Sequence, residues 1–417
     1  MEFTRNGNRR VVITGMGAVT PLGLLRKFWE SLLAGQSGIR RITRFDPADL
    51  EVQVAGEVDI DLKDHFSPRD SRRMSRASQL ALIAARMALQ DCGLTGEEVR
   101  GNGDRVGVVI GTGNAGFELL VDMSYEYLLK GKKPLPTVFV NGLPNLPGHH
   151  ISVEMGATGP LVTIVTACAS GTQAIGAGIE MIRGGKADLV FAGGADSMIR
   201  KEVIAAFDSM RALPRGFNEK PASASRPFDA DREGFVLAEG AGVLVMESLE
   251  KAQERGARIY AELLGHAVSS DAKHITAPDE TGLGAQKAMR WALDDAGLNP
   301  AEIDYINAHG TSTRLNDSTE TKAIKGVFGQ RAYRIPISSS KSMIGHSMGA
   351  AGALEALVCT LSIQDRIVHP TINYETPDPE CDLDYVPNQP RQVAVNFALS
   401  NSFGFGGQNA CLVLGRI

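Results

Sequence analysis

Short apolar runs alternate with amphipathic segments along most of the chain, and this alternation predicts an α/β protein. Residues 88–94 have the pattern of a helix that ends at a glycine, and the apolar run at residues 105–111 has the pattern of a buried strand. Residues 292–298 and 303–310 repeat this order of helix, glycine and strand. Because helices and strands that alternate in sequence pack into separate layers, we expect a layered α/β architecture.

A second pair of similar segments lies further along each half of the chain. Residues 161–165 form a predicted strand that leads through Cys168 into a Gly/Ala-rich helix, and residues 335–338 lead into another such helix. This doubled order indicates two related halves. We divide them into residues 1–255, which contain the cysteine, and residues 256–417, and we find no low-complexity linker between them.

Glycine is the one unusual feature of the composition. The chain has 46 glycines among 417 residues, about 11%, where about 7% is average. Gly171, Gly176 and Gly178 lie inside a predicted helix, where each costs roughly 0.5 to 1 kcal/mol relative to alanine. Close packing of buried backbones would offset this cost. We therefore expect two buried central helices, the second at about residues 347–361, each with its N-terminus at a shared site.

Composition and charge exclude several classes of protein. With 43% hydrophobic residues, 22% charged residues and a net charge of −5, the chain is typical of folded globular proteins and not of nucleic-acid binders. Five cysteines without a Cys-x-x-Cys pair disfavour a disulfide framework or a zinc ribbon. No secretory signal and no apolar run of membrane-spanning length is evident. We expect a cytoplasmic protein that does not bind membranes or nucleic acids.

Cys168 is the first candidate for chemistry. It lies where a predicted buried strand meets the start of the first Gly/Ala-rich helix. Helix N-termini carry about half a positive charge, which stabilises a thiolate, so we expect the pKa of Cys168 to be lowered. From position alone, a cysteine that only packs in the core remains an equal alternative. Cys92, Cys359, Cys381 and Cys411 lack such a setting and are interpreted as packing residues.

Two histidines favour the catalytic interpretation, because an activated thiol usually has imidazole neighbours. His309 follows a strand of the second half, and His346 precedes the second Gly/Ala-rich helix. Alone, either histidine would more often be structural. Both lie where segments of the second half correspond to the Cys168 region of the first half, which favours one shared site.

Four motifs resemble those of one known family in their order and approximate spacing. They are the Thr-Ala-Cys-Ala-Ser-Gly, His-Gly-Thr-Ser-Thr, Lys-Ser-Met-Ile-Gly-His and Asn-Ser-Phe-Gly-Phe-Gly-Gly strings at residues 166–171, 309–313, 341–346 and 401–407. The chain resembles the condensing enzymes, and among them the beta-ketoacyl-acyl-carrier-protein synthases of type II, from about Arg10 to the C-terminus. The set of one cysteine and two histidines differs from that of thiolases and of type III synthases.

The resemblance implies a thiolase-like, five-layered α/β/α/β/α sandwich, a homodimer and a two-stage reaction. In the first stage, Cys168 takes the acyl group from a thioester on acyl carrier protein. In the second stage, malonyl-carrier loses carbon dioxide and the resulting carbanion attacks the acyl group, which elongates a fatty acid chain. No cofactor is implied beyond the 4'-phosphopantetheine arm that carries the substrates.

The resemblance also implies a role for each candidate residue. His309 and His346 would donate hydrogen bonds to the enolate oxygen, and Lys341 would supply a fixed cation. Glu355, a charge in an otherwise apolar helix, would orient the lysine or a histidine. The backbone N–H groups of Cys168 and Phe403 would hold the oxyanion, and Phe403 would gate the acyl tunnel. The residues implied in substrate binding are Thr311 and Thr313 along the pantetheine arm, Asn114 at the mouth of the acyl pocket, and Phe405 and Gly406 in the glycine loop.

A cluster of arginines suggests where an acidic carrier would dock. Arg69, Arg72, Arg73 and Arg76 stand at the start of a predicted helix, where cations oppose the helix dipole. A solvated arginine face is the plain alternative. Because acyl carrier protein is acidic, we favour docking here, with Arg211 as a further candidate.

Departures from the family pattern leave the acyl substrate open. Asn114 stands where the family commonly has isoleucine, Gln408 replaces the usual threonine, and residues 138–147 are unlike the usual apolar pocket wall. A ketosynthase of a type II polyketide or other specialised pathway is therefore the main alternative. A catalytically inactive, carrier-binding partner subunit is a remote one.

Overall fold

The computed structural model describes residues 2–5 and 7–417. Its strands are β1 Thr4–Arg5, β2 Asn8–Arg9, β3 Val11–Thr20, β4 Gly23–Leu24, β5 Arg40–Arg41, β6 Val54–Ala55, β7 Val106–Gly111, β8 Leu161–Ile164, β9 Leu189–Asp196, β10 Gly240–Ser248, β11 Ala261–Ser270, β12 Tyr305–Asn307, β13 Ile337–Ser338, β14 Ile367–Val368, β15 Arg391–Gln392, β16 Phe397–Gly404 and β17 Gln408–Gly415.

Its α-helices are α1 Leu25–Leu33, α2 Pro68–Ser71, α3 Arg76–Asp91, α4 Gly96–Gly101, α5 Phe117–Lys130, α6 Val138–Asn141, α7 Leu146–Met155, α8 Ser170–Arg183, α9 Lys201–Ser209, α10 Leu249–Glu254, α11 Leu283–Ala296, α12 Arg314–Phe328, α13 Lys341–Ile344 and α14 Ala351–Asp365. Among the described residues, no helix combines the length and the apolar character that a bilayer crossing requires.

The strands of the two halves have the same spatial order. In the first half, β3, β10, β9, β7 and β8 lie side by side, and in the second half the order is β11, β17, β16, β12 and β13. Numbered along the chain within each half, both orders read 1-5-4-2-3. In both, the first two pairings are antiparallel and the last two are parallel. This repeated topology is what two duplicated halves require.

The two sets of strands meet where β11 pairs with β3 along three residues. The connection between the halves runs from the end of α10 to the start of β11, around residue 255. The division into residues 1–255 and 256–417 remains our proposal.

Helices form three layers around the two sets of strands. On the outer face of the first set, α3 packs against β3 and β10, and on the outer face of the second set α11 packs against β11 and β17. Between the sets, α8 and α14 contact each other and strands of both halves. The order of layers is therefore α/β/α/β/α.

The central helices approach so closely that side chains would not fit between them. A Cβ atom added to Gly171 of α8 would lie 2.8 Å from both the backbone nitrogen of Ala353 and the backbone oxygen of Gly349. A Cβ atom on Gly352 of α14 would collide with the side chain of Thr172. The glycines of these helices thus allow backbone contact. The second helix begins later than the predicted residue 347, because residues 348–350 form a 3₁₀ turn before α14.

Replacing Gly171 with alanine is expected to lower the melting temperature substantially, since overpacking costs typically 1–3 kcal/mol and here the obstacle is backbone. The matched control is Gly101→Ala in α4, where a Cβ atom meets nothing within 4 Å. Thermal unfolding followed by circular dichroism compares the two. Equal melting temperatures would contradict the close packing of α8 on α14.

Candidate active site

Three loops at the ends of parallel strands bring Cys168, His309 and His346 together. Cys168 follows β8, His309 follows β12, and His346 follows β13 and the short helix α13. The sulfur and one ring nitrogen of each histidine all lie within 4.8 Å of one another, and the three side chains are buried. The structure thus joins the three residues that the sequence analysis had singled out, two of them from the second half.

A strained turn presents the cysteine. Ala167 has a φ of 49°, in the left-handed region, and residues 167–169 form a 3₁₀ turn before α8 begins at Ser170. The hydroxyl group of Ser170 braces this turn, because it accepts a hydrogen bond from the backbone N–H of Thr166 and donates to backbone oxygens. Strain of this kind, of about 1–3 kcal/mol, persists where the surroundings impose it.

The electrostatic expectation for the thiol is wrong. Burial raises the pKa of Cys168 to about 11, and the Lys341 ammonium group and the backbone N–H of Phe405 only partly oppose this shift. The physical reason is that the sulfur lies in the protein interior, where the loss of water outweighs the nearby positive dipoles. In the resting site the thiol is therefore protonated at neutral pH.

His309 is held by its backbone as well as by its ring. Glu320 accepts hydrogen bonds from the backbone N–H groups of His309 and Gly310, both at 2.8 Å, and from the side-chain amide of Asn401. On the ring, Nδ1 lies 3.4 Å from Nζ of Lys341. Burial, the Lys341 charge and His346 lower the pKa of His309 well below its ordinary value, so the imidazole is neutral.

His346 is clamped by the first half of the chain. Its backbone N–H donates to the oxygen of Val236 at 2.7 Å, and its backbone oxygen accepts from the N–H of Ala238 at 2.9 Å. Burial and the Lys341 charge lower its pKa well below the ordinary value. Although the ring is buried, neither ring nitrogen has a hydrogen-bond partner among the described residues. Such unpartnered groups are costly, and a bound ligand would satisfy them.

Lys341 and Glu355 form a buried ion pair behind the histidines. Both side chains are about 99% shielded from solvent. Burial raises the pKa of Glu355 to about 7, and the Lys341 charge opposes that shift. Glu355 therefore lies where the sequence analysis expected it, in contact with the lysine.

The two phenylalanines of the glycine loop have different surroundings from those expected. The backbone N–H groups of Phe405 and of Cys168 itself face the Cys168 sulfur. The ring of Phe403 packs edge-on against His309, whereas the ring of Phe405 stacks on Phe207. The oxyanion and gating roles expected of Phe403 remain predictions, and Phe405 is a further candidate for the oxyanion role because its backbone N–H faces the sulfur.

A cavity of about 330 Å³ leads from the surface to the three residues. Thr311, Thr313, Phe403 and Phe405 line it, and Arg211 stands at its wall. Two predicted substrate residues are absent from the lining. Asn114 is exposed and donates its backbone N–H to Asp196, and Gly406 is exposed in the loop.

The arginine cluster divides in two. Arg69 in α2, and Arg72 and Arg73 just after it, are exposed. Arg76 is instead engaged in the interior, where its guanidinium group contacts both carboxylate oxygens of Glu239. It is therefore excluded from the docking surface, while the other three remain candidates.

Two buried carboxylates of the site were missed by the sequence analysis. Glu320 holds the His309 loop, and Asp196 accepts hydrogen bonds from the backbone N–H groups of Gly113, Asn114 and Gly349. Burial raises the pKa of Glu320 to about 7. Asp196 could have been found from the sequence, because it is an acidic residue at the end of an otherwise apolar strand.

Two family patterns together match most of the chain. The pattern of the family "Beta-ketoacyl synthase, N-terminal domain" matches residues 8–252, and that of "Beta-ketoacyl synthase, C-terminal domain" matches residues 260–375. The 3-oxoacyl-[acyl-carrier-protein] synthase 2 of Staphylococcus aureus (strain COL) is 46% identical over 97% of this chain and 98% of its own. That of Synechocystis sp. is 46% identical over 97% of both chains.

Solved structures are similar over nearly the whole chain. One is AntDE:AntF, a type II PKS acyl-carrier protein in complex with its ketosynthase bound to the hexaketide. Its TM-score is 0.91 at 36% identity, and the match covers 98% of this chain and 100% of that one. Another is the ishigamide ketosynthase/chain length factor, with a TM-score of 0.90, 40% identity and the same coverage.

The fold and the site define the class of the protein. It is a condensing enzyme with an α/β/α/β/α fold and with a cysteine and two histidines at one centre. The predicted thiolase-like fold is confirmed. The chain belongs to the beta-ketoacyl synthase family, with its similarity to the type II enzymes extending over almost its full length.

The pH dependence of alkylation follows from the buried thiol. Between pH 6 and 9 we expect the iodoacetamide reaction of Cys168 to accelerate about tenfold per pH unit, because only the thiolate reacts and the raised pKa lies above this range. Mass spectrometry of timed samples measures the rate, and Cys168→Ser shows how far the other four cysteines contribute. A rate that levels off below pH 7 would show that the thiol is already ionised there.

Proposed function

We propose that this chain elongates carrier-bound acyl chains by a covalent, decarboxylative condensation. As a beta-ketoacyl synthase it is an acyltransferase that forms carbon–carbon bonds. One observation carries the assignment of the reacting groups: a thiol and two neutral imidazoles meet at the inner end of a cavity, and one imidazole has both nitrogens free.

In the first stage, the Cys168 sulfur attacks the thioester of the acyl donor. The carbonyl oxygen becomes negative, and the backbone N–H groups of Cys168 and Phe405, both directed at the sulfur, are suited to hold it. The carrier thiol leaves with the proton that the Cys168 thiol loses. Since both imidazoles are neutral, either can relay that proton.

In the second stage, malonyl-carrier occupies the same cavity and loses carbon dioxide. The enolate oxygen that forms needs hydrogen-bond donors, a role we propose for His309 and His346. Lys341, fixed by Glu355, keeps a positive charge 3.4 Å from the ring of His309. This charge disfavours protonation of the imidazoles, so that they act as neutral donors. The enolate carbon then attacks the acyl group on Cys168 and releases the Cys168 thiolate, which takes up a proton from solvent.

Partners and assembly are part of the same proposal. Acyl carrier protein is the donor, and Thr311 and Thr313 would contact its pantetheine arm inside the cavity.

A second copy of the chain would cover the apolar face of α5. No side chain of this helix is buried, and Tyr125, Leu128 and Leu129 are exposed. Thiol and imidazole chemistry needs no cofactor, and a reducing compartment such as the cytoplasm keeps Cys168 reduced.

A specialised or polyketide pathway is the second candidate. The similarity to type II polyketide ketosynthases favours it. Fatty acid elongation remains the first candidate, because the 46% identical relatives are 3-oxoacyl-[acyl-carrier-protein] synthases.

Incubation with acyl-carrier substrates of several chain types is expected to leave an acyl group on Cys168, which mass spectrometry of the digested protein locates. Cys168→Ser should carry none, and Cys92→Ser should be acylated like the unmodified chain. Saturated alkyl donors should react faster than polar or branched donors if fatty acid elongation is the function. The reverse preference would support the specialised pathway, and no adduct with any donor would contradict the condensing function.

Replacing Arg72 and Arg73 with glutamate is expected to raise the KM for carrier substrates about tenfold at low salt. The kcat should change little, because charges at the rim of an interface steer association and do not take part in the chemistry. The charge-matched control is Arg26→Glu with Lys27→Glu, on the exposed side of α1. Unchanged KM in the first variant, or an equal rise in both, would exclude docking at this surface.

A further inference from the structure

One stretch of the chain, residues 309–314, follows the wall of the cavity from its inner end outwards. His309, Thr311, Thr313 and Arg314 all line the cavity. Their exposure rises in that order, because the first two are 1% and 6% exposed, Thr313 is half-buried and Arg314 is exposed. Arg314 therefore stands at the mouth. A ligand chain that lies along this stretch with one end at His309 has its other end near the guanidinium group.

The guanidinium group of Arg314 is almost free of protein contacts. Its Nε donates to the backbone oxygen of Arg232 at 3.4 Å, and its two terminal NH2 groups have no hydrogen-bond acceptor in the part of the chain that the structure describes. Asp378 feels the charge of Arg314 but forms its ion pair with Arg232. The donors of Arg314 are therefore available to a ligand at the mouth.

A second arginine lines the same cavity from a different element. Arg211 follows the end of α9 and is exposed, and its side chain has neither a hydrogen bond nor an ion pair with any residue of the ranges 2–5 and 7–417. Its φ is 55°, in the left-handed region that favours glycine. Strained backbone of this kind is concentrated at functional sites. Two unpaired guanidinium groups thus stand at one cavity.

The acidic residues of the lining have partners of their own. Besides the two arginines, the charged groups that line the described cavity are Glu233 and Asp271. Glu233 accepts hydrogen bonds from two consecutive backbone N–H groups, at 2.9 and 2.8 Å. Asp271 accepts from the side-chain amide of Asn409 at 2.7 Å and from a backbone N–H. Both acids are held by donors of the protein, whereas the arginine donors have no acceptor.

Under the function proposed above, the carrier arm enters this cavity with its sulfur at Cys168. The outer end of the 4'-phosphopantetheine arm is a phosphodiester, which is negatively charged and offers acceptor oxygens. A guanidinium group matches a phosphate in charge and in geometry, because its N–H groups form a planar fork. We propose that Arg314 and Arg211 bind the phosphate of the arm at the mouth of the cavity, an inference that rests on the proposed function.

Protection of Cys168 from iodoacetamide tests the phosphate site. The probes are S-ethyl pantetheine and its 4'-methyl phosphodiester, whose thioether sulfur neither competes for iodoacetamide nor transfers an acyl group. The dependence of the alkylation rate on probe concentration gives the dissociation constant of each probe. We expect the phosphodiester to bind the unmodified chain about tenfold more tightly, since a charge-assisted contact adds to those made by the rest of the arm.

Single substitutions assign that difference to the two arginines. Arg314→Ala and Arg211→Ala should each weaken binding of the phosphodiester at least threefold and leave binding of S-ethyl pantetheine unchanged. The matched control is Arg334→Ala, an exposed arginine beyond the other end of α12 and outside the lining, which should bind both probes as the unmodified chain does. Circular dichroism establishes that each variant is folded.

The outcomes separate this proposal from the proposed function. Equal protection by both probes in the unmodified chain, or a tighter phosphodiester that neither arginine variant weakens, would overturn the phosphate site and leave the condensing function standing. Protection by neither probe would count against both, because the arm would then not enter the cavity. Variants that slow acyl transfer from the whole carrier but bind the phosphodiester normally would show that the arginines contact the acidic carrier surface instead, and the proposal would be wrong.

Discussion

The backbone contact between the two central helices is the constraint on which the site depends. Gly171, Gly349 and Gly352 allow the turns at the start of α8 and α14 to touch without intervening side chains. Cys168 lies in the first of these turns, and His346 lies immediately before the second. A methyl group at this contact would separate the halves, and the thiol would lose its position beside the imidazoles. The energetic cost of glycine in a helix is thus offset by contacts that also place the reacting groups.

Hydrogen bonds to backbone groups extend this constraint into the surrounding loops. Asp196, at the end of β9, binds the N–H groups of the loop after β7 and of Gly349. Glu320 fixes the His309 loop in a similar way, and residues 236–238 clamp His346. Asp196 and Glu320 each accept hydrogen bonds from several donors, which is the condition under which a charge is tolerated in the interior. The result is a rigid frame around ring nitrogens that have been left free for a ligand.

Much of the site could be predicted from sequence because its chemistry is local. Cys168, His309, His346 and Lys341 lie in short motifs at predicted ends of strands. Glu355, one of few charges in an otherwise apolar helix, pairs with the lysine. The expectations that were wrong concern the environment of a side chain, namely its burial and its partners. The pKa of Cys168 depends on burial that no local pattern reveals, and Arg76 turns inward because Glu239, distant in sequence, accepts it. The backbone N–H of Phe405, in the loop between β16 and β17, also faces the thiol, which the motif did not indicate.

The sequence by itself determined the layered α/β class, the duplicated order of elements and the residue types available for acyl transfer, since these follow from periodicity and from short motifs. Only the tertiary structure decided which backbone N–H faces the sulfur, which arginines stay in solvent, and that the thiol rests protonated. The physical reason is that solvation and hydrogen-bond partners are set by atoms from distant segments. Cys168 and His346 are 178 positions apart along the chain, and their encounter depends on helix packing and not on anything either motif contains.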